Sequence, residues 1–193
     1  MTFESGGPGD VSLGPEDRAA ALGEVKAVLR VVSDDEDALV VAFVEAALGL
    51  AERFTGQVLI AREMRAVLAA QAAWQCVGAG PVRAITSVEA IGAIENGDGA
   101  VVLGSAAYAV DIDAGGEGWV RSIDAGAAKR IAVTFVAGAA ADWAGVPGPL
   151  RQGVVLLAAH LFTARDERDA PPAAVTALWR PFRRLALARR VYA

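Results

Sequence analysis

The sequence predicts an α+β fold: a helical core of two N-terminal and two C-terminal helices, with an antiparallel β-sheet or small sandwich inserted between them. Two patterns support this prediction. Apolar residues recur at three- and four-residue steps in the first 60 residues and again after residue 146, which is the period of a helix. Between these regions, short β-branched and aromatic runs are broken by glycine, which is typical of strands and turns. With 193 residues, 54% of them hydrophobic, the chain can form a packed core.

The same patterns divide the chain into segments. Residues 1–15 are rich in Gly, Pro and Ser, and we expect them to be a flexible arm. Residues 16–57 and 146–180 are predicted to form the helical core, residues 58–145 the β insertion, and residues 181–193 an extended C-terminal docking tail. The resulting layout is two helices, a β insertion and two further helices, without an internal repeat.

Each N-terminal helix is predicted from an apolar stripe and its end signals. The stripe of the first helix comprises Leu22, Val25, Leu29 and Val32. Ser33 and Glu36, three residues apart in SDDED, are expected to form a capping box at the start of the second helix. Gly56 is expected to end it. The stripe of the second helix comprises Leu39, Phe43, Ala47, Leu50 and Phe54.

The middle of the chain is predicted to contain five or six strands. Four of them can be placed: residues 82–91, 108–112, 118–123 and 130–138. The glycine-rich segments ENGDG and AGGEG, which begin at Glu95 and Ala114, are expected to be turns.

The two C-terminal helices are predicted from proline positions and apolar spacing. Pro149 suits the first turn of the third helix, and the last helix is expected to begin near Pro172. Pro181 must kink or end that last helix, because proline has no N–H and clashes with the preceding turn. The stripes of the two helices comprise Leu150, Val154, Leu157, Ala158 and Leu161, and then Val175, Leu178 and Trp179.

Charge is distributed unevenly along the chain. The net charge is -5, yet residues 1–60 contain 11 acidic and 4 basic residues, whereas residues 151–193 contain 3 acidic and 8 basic residues. A molecule with one acidic and one basic end can attract copies of itself head to tail, or can meet two different partners.

The residues indicate no catalytic, cofactor or metal site, and we expect a non-enzymatic protein. The single histidine, His160, lies beside an apolar stripe and is interpreted as a packing or interface residue. The single cysteine, Cys76, excludes an internal disulfide and is expected to be buried. Asp111 and Asp113 alternate along a strand and are interpreted as a solvated face rather than a cation site. No phosphate-binding loop, targeting segment or membrane span is expected.

The C-terminal stretch LWRPFRRLALARRVYA carries five arginines, three aromatic side chains and no acidic residue. Nucleic-acid binding, membrane-surface binding and protein docking are all compatible with this composition. Because an acidic body would repel DNA and anionic lipid, protein docking is favoured. The residues expected to dock are Trp179, Arg180, Pro181, Phe182, Arg183, Arg184, Leu185, Arg189, Arg190 and Tyr192.

The order of several motifs resembles the phage head–tail connector, or adaptor, family. In that family a Lys-x-x-Leu-Arg helix precedes an Asp-Asp-x-Asp run, and a long helix then ends in a Thr-Gly turn. Here the corresponding stretch is EVKAVLRVVSDDEDALVVAFVEAALGLAERFTGQVLI. PVRAITSVEAI, YAVDID, IAVTFVAG, VPGPLRQGVVLLAAHLFTAR and ALWRPFRRL follow in order. The resemblance covers about residues 24–185, and the alanine-rich, charge-segregated sequence is also similar to the adaptors of gene transfer agents.

The resemblance implies a structural role in the neck of a phage-like particle assembled in the bacterial cytoplasm. Members form a ring, dodecameric in characterised relatives, between the portal and the stopper or tail, and their C-terminal segment reaches into the portal. The expected partners are therefore the portal protein, a stopper or tail-completion protein, copies of the chain itself and DNA in transit, with no membrane. The acidic N-terminal helices are expected to line the channel or to face a neighbour. The alternative is a DNA-binding accessory protein that uses the arginine-rich tail.

Overall fold

The computed structural model describes residues 1–92, 99–164 and 170–184. Over these residues the predicted α+β class is confirmed, with four α-helices and two antiparallel sheets of five and three strands. The chain forms two compact units. The β unit comprises residues 1–10 and 58–142, and the helical unit comprises residues 11–57 and the described residues from 143 onward.

The helical unit is arranged around its third helix. Its helices are α1 (Pro15–Leu29), α2 (Asp37–Thr55), α3 (Gly148–Thr163) and α4 (Ala173–Trp179), followed by one 3₁₀ turn (Arg180–Phe182). α3 packs against each of the other three helices. Its predicted stripe is largely confirmed, because Leu150, Val154, Leu157 and Ala158 are all buried.

The two predicted helix stops are confirmed. α2 ends at Gly56, whose φ of 71° lies in the left-handed region that favours glycine. The Gly56 N–H donates to the carbonyl of Glu52 at 2.8 Å. α4 ends at Trp179, two residues before Pro181, which falls in the 3₁₀ turn.

The start of α2 differs from the prediction. The helix begins at Asp37, its N-cap is Glu36, and no side chain caps it. The capping box predicted for Ser33 is therefore wrong. Lys26 of α1 donates at 2.7 Å to both Asp34 and Asp37, so the acidic run is held by a cation on the preceding helix instead.

The buried faces of α1 and α2 also differ from the predicted stripes. Val25 is buried, but Val32 lies beyond the end of α1 and is 94% exposed. In α2, Leu39 and Leu50 are 37% and 47% exposed. The buried residues of α2 are Val40, Val44, Ala47, Leu48, Gly49, Ala51, Glu52 and Thr55.

The described part of the β unit contains eight strands rather than five or six. They are β1 (Thr2–Ser5), β2 (Arg62–Ala69), β3 (Gln75–Cys76), β4 (Val82–Ile91), β5 (Ala100–Val102), β6 (Tyr108–Ile112), β7 (Gly118–Ser122) and β8 (Arg130–Ala137). The larger sheet has the order β1-β2-β8-β4-β5, and the smaller one has the order β3-β7-β6. All strand pairings are antiparallel.

Part of the predicted flexible arm is a strand. β1 pairs with β2, and Phe3 packs against the apolar core of the β unit. Arg65 of β2 is paired with Glu4 at 2.7 Å, and on its other side with Glu89 of β4 at the same distance. These two carboxylates raise the pKa of Arg65, the larger effect coming from Glu89. An aromatic residue and an ion pair thus order a segment whose glycine and proline content suggested flexibility.

One of the two predicted turns lies within the described residues. β6 and β7 form a hairpin in which Ile112 lies opposite Gly118, which confirms the turn at residues 114–118. β4 and β5 pair with Ile91 opposite Ala100. The turn predicted between them lies outside the described residues except for its last position, residue 99.

Candidate docking surface

Trp179 is a core residue of the helical unit and is only 3% exposed. Its Nε1–H donates to the carbonyl of Leu150 at 3.2 Å, and its ring centre lies 5.8 Å from that of Phe54. Gly153 faces the indole so closely that a Cβ there would lie 2.2 Å from Nε1. This side chain therefore packs α4 against α3 in the chain by itself, and the docking role of Trp179 stays a prediction.

The residues after Trp179 return to the C-terminal end of α2. The N–H of Arg184 donates to the carbonyl of Thr55 at 2.7 Å. The side-chain amide of Gln57 donates to the carbonyl of Phe182 at 3.1 Å. These two bonds use groups at and just beyond the end of α2, so the segment up to Arg184 is held against that end.

This return brings Arg183 and Arg184 to the end of α2 at which Arg53 lies. Arg180 begins the 3₁₀ turn that precedes them. Arg180, Arg183 and Arg184 are exposed, as is Arg53 in the last turn of α2. The guanidinium of Arg183 lies 5.9 Å from the ring centre of Phe54, within the range of a cation–π contact. Cations are favoured at a helix C-terminus by the helix dipole. We call Arg53, Arg180, Arg183 and Arg184 the basic surface.

Sequence reasoning found three of these arginines and missed the fourth. Arg53 lies far from the tail in sequence, and its only signal was its place in the last turn of a helix. Of the other residues predicted to dock, Pro181 is exposed and Phe182 is half-buried. Leu185, Arg189, Arg190 and Tyr192 lie outside the described residues.

The opposite end of α2 is acidic. Asp34, Asp35 and Glu36 are exposed immediately before the helix begins. The hydrogen bonds to Asp34 and Asp37 raise the pKa of Lys26, and the bond from Lys26 lowers the pKa of Asp34. With 19 residues at 1.5 Å each, α2 separates its acidic and basic ends by about 28 Å. Part of the charge asymmetry of the sequence thus lies between the two ends of one helix.

Asp113, one of the two aspartates weighed as a cation site, has a structural role. Oδ1 of Asp113 accepts hydrogen bonds from the N–H groups of Gly115 and Glu117 at 2.8 and 3.0 Å. Its Oδ2 accepts one from Nε1 of Trp119 at 3.2 Å. Asp113 therefore stabilises the β6–β7 turn, and Asp111 lies opposite Trp119 in the same hairpin.

The remaining candidate residues form no recognisable site. His160 lies in the last turn of α3 and is half-buried, and Cys76 is half-buried rather than buried as predicted. Within residues 1–92, 99–164 and 170–184, no three His, Cys, Asp or Glu side chains are grouped to hold a metal ion. None of the helices in the described part of the chain has the length and apolar character to cross a membrane.

No protein-family model and no curated protein matches the sequence. Chains from solved structures do match it along nearly its whole length. One belongs to the neck of an empty GTA particle computed with C6 symmetry, at 24% identity and a TM-score of 0.70, with 97% of each chain covered. Another belongs to the neck of a native GTA particle computed with C12 symmetry, at 26% identity, a TM-score of 0.64 and 97% coverage of each chain.

A third match is a chain of the virion of a native gene transfer agent (GTA) particle, at 23% identity and a TM-score of 0.66, with 96% of each chain covered. The coverage includes both the β unit and the helical unit, so the likeness is not limited to one of them. The resemblance that the motif order predicted is thereby confirmed: over nearly its whole length, this chain has the fold of chains found in the necks and virions of gene transfer agent particles.

Proposed function

We propose that the chain is a structural, non-enzymatic component of the neck of a gene transfer agent particle. In this role it forms a ring that joins the portal of the capsid to the stopper or tail and lets DNA pass. The observation that carries the proposal is the fold match to neck chains with 97% of both chains covered. The six- and twelve-fold symmetries of those neck structures support a closed ring of identical copies.

The basic surface is the part of the chain that we assign to the portal. Arginine is enriched at the centres of protein interfaces because its planar guanidinium can pair with two carboxylate oxygens at once. The hydrogen bond from the N–H of Arg184 to the carbonyl of Thr55 holds the start of the predicted docking tail, residues 181–193, against α2. When the same weak contact is repeated around a ring, the overall affinity of the ring for the portal is much higher than that of a single contact.

The test is the joining of DNA-filled heads to tails, counted by electron microscopy. The variant carries R180E, R183E and R184E, which change three exposed cations without touching the core residue Trp179. We expect the fraction of joined particles to fall by about tenfold or more, because a loss of about 1.4 kcal/mol already reduces binding tenfold.

The matched control reverses three exposed cations of the β unit, Arg121, Lys129 and Arg130, to glutamate. It makes the same change in net charge at a place to which no docking role is assigned. Joining should stay close to the wild-type level in this control. Equal joining in wild type, control and the R180E/R183E/R184E variant would contradict the assignment of the basic surface to the portal.

The wild type and the two charge-reversal variants also distinguish the proposed neck function from the DNA-binding alternative. A DNA-binding accessory protein would bind duplex DNA with an affinity that falls steeply as salt rises, because phosphate contacts release counterions. If charge reversal at the basic surface removes such binding but leaves portal capture intact, the alternative holds. Deletion tests should remove residues 185–193 only, because a cut at residue 179 would also remove the indole that packs on Gly153.

A further inference from the structure

Gln57 follows the glycine that ends α2 and contacts the segment that carries three arginines of the basic surface. Its side-chain amide donates to the carbonyl of Phe182 at 3.1 Å, although the two residues are 125 positions apart in sequence. Gln57 is half-buried, and its side chain is uncharged. The bond therefore adds no charge to the basic surface, and what it contributes is the placement of the arginines beside Phe182.

The backbone of Gln57 is itself fixed to α2. Gly56 has a φ of 71°, and after this left-handed turn the N–H of Gln57 donates to the carbonyl of Glu52 at 3.3 Å. The carbonyl of Thr55 accepts the N–H of Arg184 at 2.7 Å. A Cβ on Gly56 would lie 3.4 Å from the carbonyl oxygen of Arg184, so the two backbones are in contact. Both hydrogen bonds to the later segment thus involve groups that the end of α2 holds in place.

Phe54, in the last turn of α2, contacts the same segment through its ring. The guanidinium of Arg183 lies 5.9 Å from the centre of this ring, and the ring centre of Trp179 lies 5.8 Å from it. Phe54 therefore links a buried residue of the helical unit to an exposed arginine. Because a cation is attracted to the face of an aromatic ring, this contact favours one position of the long arginine side chain.

Residues 182–184 are therefore held against α2 in the free chain. A segment that becomes ordered only on binding loses affinity, because fixing its backbone and side chains costs conformational entropy at that moment. A segment that is ordered beforehand avoids this loss. One hydrogen bond changes an equilibrium constant by about two- to tenfold on net, so the effect of a single ordering bond is measurable as a change in affinity.

We propose that Gln57 and Phe54 are positioning residues of the basic surface, which hold Arg183 and Arg184 in the arrangement that the portal binds. This inference rests on the proposed function, in which the basic surface docks on the portal. Gln57 acts through the backbone of Phe182, and Phe54 acts through the guanidinium of Arg183. The matching portal surface carries carboxylates, which pair best with guanidinium groups that are already in place.

The first test is Gln57→Met, which keeps the length of the side chain and removes the amide that donates to Phe182. The affinity of the full-length free chain for the isolated portal protein is measured at several salt concentrations. We expect the dissociation constant to rise about fivefold at each of them, with the salt dependence of the wild type, because no charge has changed. The R180E/R183E/R184E variant should instead change both the affinity and its salt dependence.

The matched control is Gln75→Met in the β unit. The side-chain amide of Gln75 also donates to a backbone carbonyl, that of Ala69, at 2.8 Å. The same kind of bond is lost in this variant, so a general effect on folding would lower the affinity in both, whereas a positioning effect lowers it only in Gln57→Met. Unchanged affinity in Gln57→Met, or an equal loss in Gln75→Met, would overturn the proposal.

Amide hydrogen exchange measures the positioning in the absence of the portal. In the free chain, the N–H of Arg184 should exchange with solvent faster in Gln57→Met than in the wild type, because one of the two hydrogen bonds that hold the segment is gone. The Gln75→Met control should exchange at the wild-type rate. Equal rates in all three proteins would contradict the ordering role of Gln57.

Phe54 is tested through the arginine that it contacts. Phe54→Leu keeps an apolar side chain near Trp179 and removes the ring near Arg183. It should lower the affinity for the portal about threefold, and it should have no further effect in a chain that already carries Arg183→Ala. An equal loss in both backgrounds would contradict the positioning role of Phe54.

Failure of this inference and failure of the proposed function give different results. If the wild type does not bind the portal, the proposed function fails and the inference falls with it. If the wild type binds and charge reversal at the basic surface weakens binding, but Gln57→Met binds as the wild type does, only the positioning role fails.

Discussion

β8 and α2 have similarly apolar sequences and very different surroundings. β8 lies between β2 and β4, and Ile131, Val133 and Phe135 are each 0% exposed. α2 is packed on one side only, and its other side leaves Leu39 and Leu50 in contact with water. The strand obtains all its burial inside the chain, whereas the helix leaves one apolar side exposed. The comparison shows where the chain by itself leaves apolar surface in water.

The largest expected change in stability comes from substituting a buried residue of β8, and a substitution on the exposed side of α2 provides the comparison. Phe135→Ala should lower the free energy of unfolding by about 3–5 kcal/mol, because it removes a fully buried ring and leaves a cavity in the β core. Leu50→Ala should change it by about 0.5 kcal/mol or less, because its side chain is already half in water. Urea unfolding of the two variants measures both values. Similar losses would show that the outer side of α2 is covered within the chain.

Close packing within the helical unit gives the next effect. Gly153→Ala should destabilise the unit by about 1–3 kcal/mol, since the added methyl group would overlap the indole of Trp179. The cost should largely disappear when Trp179→Ala is already present, because the space is then open. A double-mutant cycle in urea measures this coupling. Additive losses would mean that the indole does not lie against Gly153.

Two glycine-to-alanine substitutions should change stability by smaller amounts and in opposite directions. One glycine lies at the end of a helix and the other within a helix. Gly56→Ala should cost about 1 kcal/mol, because its φ of 71° is strained for alanine. Gly23→Ala in α1 should instead stabilise by about 0.5–1 kcal/mol, because nothing lies within 4 Å of the new methyl group and alanine is the better helix former. Thermal melting of both variants tests this. A loss of stability in Gly23→Ala would place a neighbour against α1.

The smallest effect concerns the acidic end of α2. Lys26 lowers the pKa of Asp34 from its ordinary value of 3.8, so the pairing stabilises the chain above that value and is lost as the pH falls through the lowered pKa. Asp34→Asn should therefore be slightly less stable than wild type near pH 7, and the difference should vanish in strong acid. High salt should also reduce it, because Asp34 is 87% exposed. A difference that persists at acid pH would assign the effect to something other than this ion pair.

The features that the sequence predicted correctly depend on local chemistry. Gly56 ends α2 because glycine accepts a left-handed backbone, and Pro181 falls just after α4 because proline cannot continue a helix. The third helix was also located correctly, since Pro149 lies in its first turn and its apolar residues recur at helical spacing. These signals act within a few residues of one another, so they can be recognised without knowing the tertiary contacts.

The features that were missed depend on distant contacts. Ser33 does not cap α2, because Lys26 holds the acidic run from another helix. β1 is ordered by β2, about 60 residues away in sequence. The buried side of α2 could not be chosen by periodicity, because both sides are apolar and only the packing of the other helices, above all α3, distinguishes them.

Only part of the candidate docking surface could be predicted from the sequence. The exposed arginines after Trp179 follow from composition, since guanidinium groups are rarely buried without partners. The burial of Trp179 did not follow, because the large aromatic residues that anchor interfaces also fill cores. Arg53 joins the surface only because the chain returns to the end of α2, where the N–H of Arg184 meets the carbonyl of Thr55.

The most direct test of the proposed role is a cryo-electron microscopy reconstruction of the neck in particles that carry this chain. We expect a closed ring of copies between the portal and the stopper or tail, with Arg180, Arg183 and Arg184 of each copy facing the portal. Density for other proteins alone at that level, or a ring whose basic surfaces all turn away from the portal, would contradict it.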